Sequence, residues 1–167
     1  MIARHYLDDC LFQLGKLKVQ AEKAVAQIDD RQFFELIDAD ANSIALIMKH
    51  VAGNMRSRWT EFLTSDGEKP DRNRDGEFET EAGETRAAIM SRWEDAWRIL
   101  FDAISSLQPS DLGQTVMIRG EAHTVLQAMN RQISHYSAHV GQIVLLAKHF
   151  AGSKWETLSI PRRKPRF

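Results

Sequence analysis

TVLQAMNRQISHYSAHVGQIVLLAKHF, Thr124–Phe150, reads as one long helix, and the fold turns on that reading. The stretch follows the turn-like IRGEAH (Ile118–His123) and is stopped by Gly152. Inside it, His135 and His139 stand four residues apart in a chain with 6 histidines. Four residues of α-helix turn about 40° past a full circle and rise about 6 Å, so both imidazoles project together. Two rings at that spacing converge on one metal ion in helical HExxH zinc sites. Here the sequence is HYSAH, with no glutamate after the first histidine, so no general base is built into the motif. The pair alone is better read as two partly buried histidines hydrogen-bonded to their surroundings.

Three further apolar stripes lie upstream. Leu7, Cys10, Leu14, Ala21, Val25 and Ile28 recur at helical spacing and predict a helix over about residues 2–28. Ile44, Ile47, Val51, Met55, Arg58 and Phe62 predict a second, with Asn42 or Ser43 as its cap. Ile89, Trp93, Trp97, Leu100, Ile104 and Leu107 predict a third, ending before Pro109. Each stripe is amphipathic and covers one side of a shared core, which predicts an all-α, four-helix bundle forming a single domain over 1–167. Trp59, Trp93, Trp97 and Trp155 are expected to pack in that core. QTVMIRG (Gln114–Gly120) fits a turn or a minor strand. The connection Ser65–Gly83 is long by loop statistics and is expected to be a crossover or a functional loop.

Composition narrows the function classes. Basic and acidic residues number 22 and 23, so no overall field draws the protein to nucleic acid or to an acidic membrane surface. No apolar run has the length of a bilayer span, and Asp8 and Asp9 interrupt the N-terminal stretch, which is therefore not expected to act as a signal peptide. The single cysteine, Cys10, cannot form an internal disulfide; on a core face it points to a packing role and a reducing, cytoplasmic location. DRNRDGEFETEA (Asp71–Ala82) opens like a calcium-binding EF-hand loop through Asp71, Asn73, Asp75 and Gly76. Ala82 stands where the bidentate glutamate belongs and Glu81 is one residue out of register, so a solvated, turn-rich loop is expected. The basic ending IPRRKPRF is expected to be a solvated or docked terminus.

A third histidine strengthens the metal reading. His50, in SIALIMKHVAGNMRSRW (Ser43–Trp59), falls at the edge of the second apolar stripe, with Lys49 and Arg56 expected on the outer face. Asn54, Ser57 and Glu61 share that polar edge, and His135 and His139 lie at the margin of their own helix beside Gln142 and Leu146. Two helices that each place polar ligands at the border of the core can share a cleft. Three neutral imidazoles would hold a borderline divalent metal and leave coordination positions open. His149 lies about 21 Å further along the helix axis than His135. It, His123 and His5 are expected in structural or surface roles.

One histidine in the second helix followed by HxxxH in the fourth resembles the DinB/YfiT-like superfamily of four-helix bundles. KHVAGNMRSRWTEFLTSDGEKPDRNRD (Lys49–Asp75) and KWETLSIPRRK (Lys154–Lys164) resemble one of its uncharacterised bacterial subfamilies. The resemblance implies that His50, His135 and His139 are the metal ligands. It implies zinc or nickel as the metal, a crossover bundle topology and a homodimer. It also implies, from some relatives, S-transfer or isomerisation with a low-molecular-weight thiol such as bacillithiol or mycothiol.

On that basis the expected function is activation of a small thiol toward an electrophilic co-substrate. Asn54 and Glu61 would hydrogen-bond substrate or a ligand's second nitrogen, and Arg131, one turn before His135, would meet a carboxylate on the thiol. The alternatives are a metal-dependent hydrolase, with Glu61 as the base, and a non-enzymatic dimeric scaffold or sensor cemented by its metal.

Overall fold

Four side chains fix where helices begin. In the computed structural model, which describes residues 1–161, Asp29 opens α2 (Asp30–Phe34) and Ser43 opens α3 (Ile44–Trp59). Thr85 opens α4 (Arg86–Ser106) and Thr124 opens α5 (Val125–Ala151). Each accepts a hydrogen bond from the backbone N–H three residues on, satisfying a donor that the first turn would otherwise orphan, typically worth about 1 kcal/mol. α1 (Ile2–Val25) precedes them. α5 ends at Gly152, whose φ of 55 suits a residue without a Cβ.

The chain is predominantly helical, but it is not four helices alone. Among the described residues there are five helices and a two-stranded antiparallel hairpin, β1 (Thr115–Ile118) with β2 (Glu121–Thr124). α2 is too short for a periodic stripe; a reciprocal cap between Asp29 and Gln32 defines it instead. QTVMIRG resolves as a strand because Arg119 and Gly120 both take positive φ, the turn geometry that matches strand twist. α1 ends three residues short of the predicted Ile28. α3 ends at Trp59 rather than Phe62, and Glu61, just beyond, turns back at φ 50.

α3 packs mainly on α4, and α1 on α5; α3 also meets α5, and α1 meets α4. The consecutive long helices α1 and α3, and likewise α4 and α5, are therefore diagonal neighbours. The connection Ser65–Gly83 joins α3 and α4, which lie side by side and run parallel, with Lys49 beside Arg92 near one end and Trp59 beside Ala103 near the other. It therefore returns along the length of α3, as a crossover does. The four long helices enclose one apolar core in which Leu14, Ile44, Met55, Trp93, Trp97 and Tyr136 are fully buried. Burying each large apolar side chain contributes roughly 1.5–3 kcal/mol. Cys10 sits in this core, and burial pushes its thiol pKa up, which suits packing rather than nucleophilic attack. No helix among the described residues is long and apolar enough to cross a membrane.

The largest departure from the amphipathic pattern is α3, which is buried on nearly every side. Lys49, expected on the outer face, is only 7 % exposed. Its Nζ donates to Glu79 O and Glu81 Oε1, both at 2.9 Å, and pairs with Glu84 at 3.2 Å. The covering layer is the connection itself. Ser57 Oγ donates to Gly67 O at 2.8 Å and accepts from Lys69 N at 3.0 Å. Gly67 N reaches Met117 O at 2.8 Å, and the Asp66 carboxylate accepts from Arg119 N and Gly120 N, tying the loop to the hairpin. Within the EF-hand-like stretch, Asn73 Oδ1 accepts from Gly76 N at 3.1 Å, while Asp71 and Asp75 are exposed. The basic ending lies, from Arg162 onward, outside the described residues.

Candidate metal centre

α3 and α5 meet so that the polar edges of both helices face one point. His135 Nε2 lies 3.0 Å from His139 Nε2 and 3.4 Å from His50 Nε2. One nitrogen from each ring falls within 4.8 Å of the other two, so the three histidines lie close enough to hold a metal ion. Three nitrogens at the usual 2.0–2.1 Å from a tetrahedral zinc would stand about 3.3 Å apart, close to the two shorter separations seen here.

The remaining ring nitrogens decide what the inner ones can do. His50 Nδ1 donates to Glu77 Oε2 at 2.9 Å, and His139 Nδ1 donates to Gln142 Oε1 at 2.8 Å. Those bonds hold the protons on Nδ1 and leave both Nε2 atoms with a lone pair. Burial, then the neighbouring His139 and His50, push the His135 pKa down to about 4, so its ring is neutral near pH 7. Burial lowers His139 as well, against the pull of its Gln142 bond. Neutral imidazoles whose ring nitrogens converge, with their outer nitrogens hydrogen-bonded, form the donor set of a divalent transition metal. The residues fit the group.

Glu77 is the residue the sequence did not disclose. Burial acts to raise its carboxyl pKa, but hydrogen bonds from His50 and Arg72 outweigh that and hold it below the ordinary range. Arg72 donates through Nε to Oε1 at 2.8 Å and through Nη2 to Oε2 at 2.7 Å, a bidentate clamp. Phe78 stacks on the His50 ring at 4.7 Å. Gly53, one turn from His50 on α3, leaves room for this arrangement: a Cβ there would stand 2.2 Å from Glu77 Oε1. The only sequence signal was indirect, namely that a ligating histidine needs an acceptor for its second nitrogen.

Beside the triad is a cavity of about 180 Å³ that His50 and His135 both line. Asn54 and Arg131, two of the residues picked out by pattern, line it as well. Asn54 is buried, and its Oδ1 accepts from Tyr136 Oη at 3.1 Å; Tyr136 in turn accepts from Trp59 Nε1 at 3.0 Å. Arg131 is exposed, with Nη1 3.4 Å from His123 Nε2. Gln142 holds His139 rather than lining the cavity. Glu61 is not brought to the triad: it is exposed beyond the end of α3, where its carbonyl accepts from Thr64 N and Ser65 N. His5 and His149 are exposed, and His123 contacts Glu121 O and Arg131.

Residues 1–164 match the model of a family described as "Protein of unknown function (DUF1572)". No curated protein and no solved structure matches the chain.

Proposed function

This chain belongs to the DUF1572 family, within the DinB/YfiT-like group, and we propose that it is a metal-dependent enzyme transferring the sulfur of a small thiol to an electrophile. The observation that carries the reading is the convergence of the His50, His135 and His139 Nε2 atoms beside a cavity. These residues would hold zinc or nickel, which accept neutral imidazole ligands. When bound, the cation supplies Lewis acidity that favours thiolate over thiol near neutral pH.

The protein's own part is positioning. Glu77 and Gln142 keep two rings aimed inward, and Phe78 backs His50. Tyr136 and Trp59 fix Asn54 at the cavity wall, where its amide can orient a guest. In transfer to an electrophile such as monochlorobimane, the thiol proton passes to solvent and the sulfur electron pair forms the new carbon–sulfur bond. The carbon–chlorine bond breaks, and chloride leaves with its electron pair.

The hydrolase alternative is less well supported because it needs a free carboxylate base. Glu61 lies outside the cavity, and both oxygens of Glu77 are engaged by Arg72 and His50.

Metal analysis of the wild type beside His50→Ala tests the ligand set. About one ion per chain is expected in the first and a large loss in the second, since one of three ligands is gone. Protein loaded with zinc or nickel should then conjugate members of a thiol panel to monochlorobimane. Full metal occupancy without conjugation of any thiol overturns S-transfer. A large fall in Tm on chelation, again without turnover, would identify a metal-cemented scaffold instead.

A further inference from the structure

The cavity beside the triad has a charge that thiol chemistry alone does not require. Besides His50, His135, Asn54 and Gln132, it is lined by Arg58, Arg72, Arg74, Arg119 and Arg131, with no carboxylate among the lining residues. The protein as a whole is formally −1 at pH 7, so this concentration of guanidinium groups is a local feature. Three carboxylates stand behind it. Glu68 pairs with Arg58 at 3.1 Å, Arg72 at 3.3 Å and Arg119 at 3.1 Å, Glu77 takes the other face of Arg72, and Asp75 stands 3.9 Å from Arg74. Five cations against three carboxylates leave a net positive field inside a concave space.

Two buried groups on its wall lack partners. Arg58 is 4 % exposed; one Nη is spent on Glu68, while Nε and Nη1 make no hydrogen bond among the described residues. Gln132 is equally buried, and its Oε1 is unpaired. Buried N–H groups of a charged side chain are almost always satisfied, because leaving them bare forfeits their hydration. A carboxamide can turn either its oxygen or its NH2 toward a guest. Among the described residues, Arg131, at the exposed side, has only the weak contact to His123 to hold it.

We propose that this cavity is an anion subsite, in which Arg58 and Arg131, with Arg72 and Arg119, take the carboxylate or phosphate of a small ligand whose other end reaches the histidine triad. In assigning that charged group to the reacting thiol or its co-substrate, the proposal rests on the S-transfer reading; the binding of the anion itself does not. The volume suits one charged group with a few attached carbons, well short of a drug-sized pocket or a polymer. Guanidinium forks match both oxyanions geometrically, so carboxylate and phosphate share the recognition chemistry.

The test is calorimetric titration of the full chain, metal-free and metal-loaded, with inorganic phosphate in one arm and malonate in the other. Malonamide serves as the uncharged control. Binding of either anion but not of malonamide is expected, and the stronger arm identifies the source of the charge. Arg131→Gln should weaken that binding by about tenfold, as expected for one charge-assisted contact. Arg58→Gln should weaken it at least as much. Because Arg58 is buried and ion-paired, its variant is interpreted only where its melting curve stays cooperative; the exposed Arg131 variant keeps the test decisive. No binding of either anion, or binding unchanged in Arg131→Gln, overturns the proposal. Anion binding that survives in a protein without S-transfer activity would sink the thiol reading and leave the subsite standing.

Discussion

On α5, His135 and His139 share one half-exposed helix face, and Gln142, three residues along the same helix, steadies the second ring. On α3, His50 is buried, and its support is Glu77, 27 residues further along the chain in a connection that folds back over the helix. One side of the centre is built from local periodicity and the other from tertiary contact. A ligand supported by its own helix depends on little else; a ligand supported by a clamped, buried carboxylate ties metal binding to the packing of a loop.

The sharpest way to break that comparison is to remove each support in turn. Glu77→Gln keeps the shape and an acceptor for His50 but takes the charge from Arg72, whose side chain is 5 % exposed. Metal affinity should fall by roughly 10–100-fold, the usual cost of losing an outer-shell partner. Unfolding in urea should show a loss of about 3 kcal/mol, because a buried guanidinium is left without its bidentate partner. Gln142→Ala, removing an exposed neutral amide, should cost less than about tenfold in affinity and stay within about 0.5 kcal/mol in stability. Equal effects from the two variants in a chelator competition titration would mean that both rings are held alike.

What was legible in the sequence follows the same division. The helix carrying HxxxH, its start at Thr124 and its end at Gly152 are all written in local residues, as is the helical position of His50. The α2 turn was lost because five residues are too few to show a period. Glu77 was lost because its stretch imitates a calcium loop and has no periodicity linking it to His50. Lys49 misled for the same reason: on a helical wheel it belongs outside, and only the fold reveals that the loop has covered that side. Glu61 misled differently, since the wheel extends α3 past the residue where the chain turns away.

Lysines sharpen the contrast at an intermediate scale. Lys49→Ala on α3 should lower stability by about 2 kcal/mol, measured by urea unfolding. It strips a cation from Glu84, whose side chain is 3 % exposed, although Arg92 at 3.0 Å remains as a partial counter-ion. Lys148→Ala on α5 removes an exposed side chain and should change stability by no more than about 0.5 kcal/mol. A loss of comparable size at both positions would contradict the covering role of the loop.

Two glycines make the finest comparison, because the same substitution should have opposite signs on the two helices. Gly53 in α3 and Gly141 in α5 both lie in helix interiors, where alanine is intrinsically better by about 1 kcal/mol. At Gly141 nothing lies within 4 Å of an added Cβ, so Gly141→Ala should gain most of that and leave metal binding unchanged. At Gly53 the Cβ would stand 2.2 Å from Glu77 Oε1 and 2.7 Å from its Cδ, so the carboxylate must move. It cannot move freely, since Arg72 grips both oxygens and His50 needs one of them. Gly53→Ala should therefore forfeit the helix gain, unfold at least about 1 kcal/mol more easily than Gly141→Ala and bind metal more weakly. If Gly53→Ala instead matched Gly141→Ala in both stability and metal affinity, Glu77 would be free to shift without consequence. Its clamp on His50 would then be incidental to the centre.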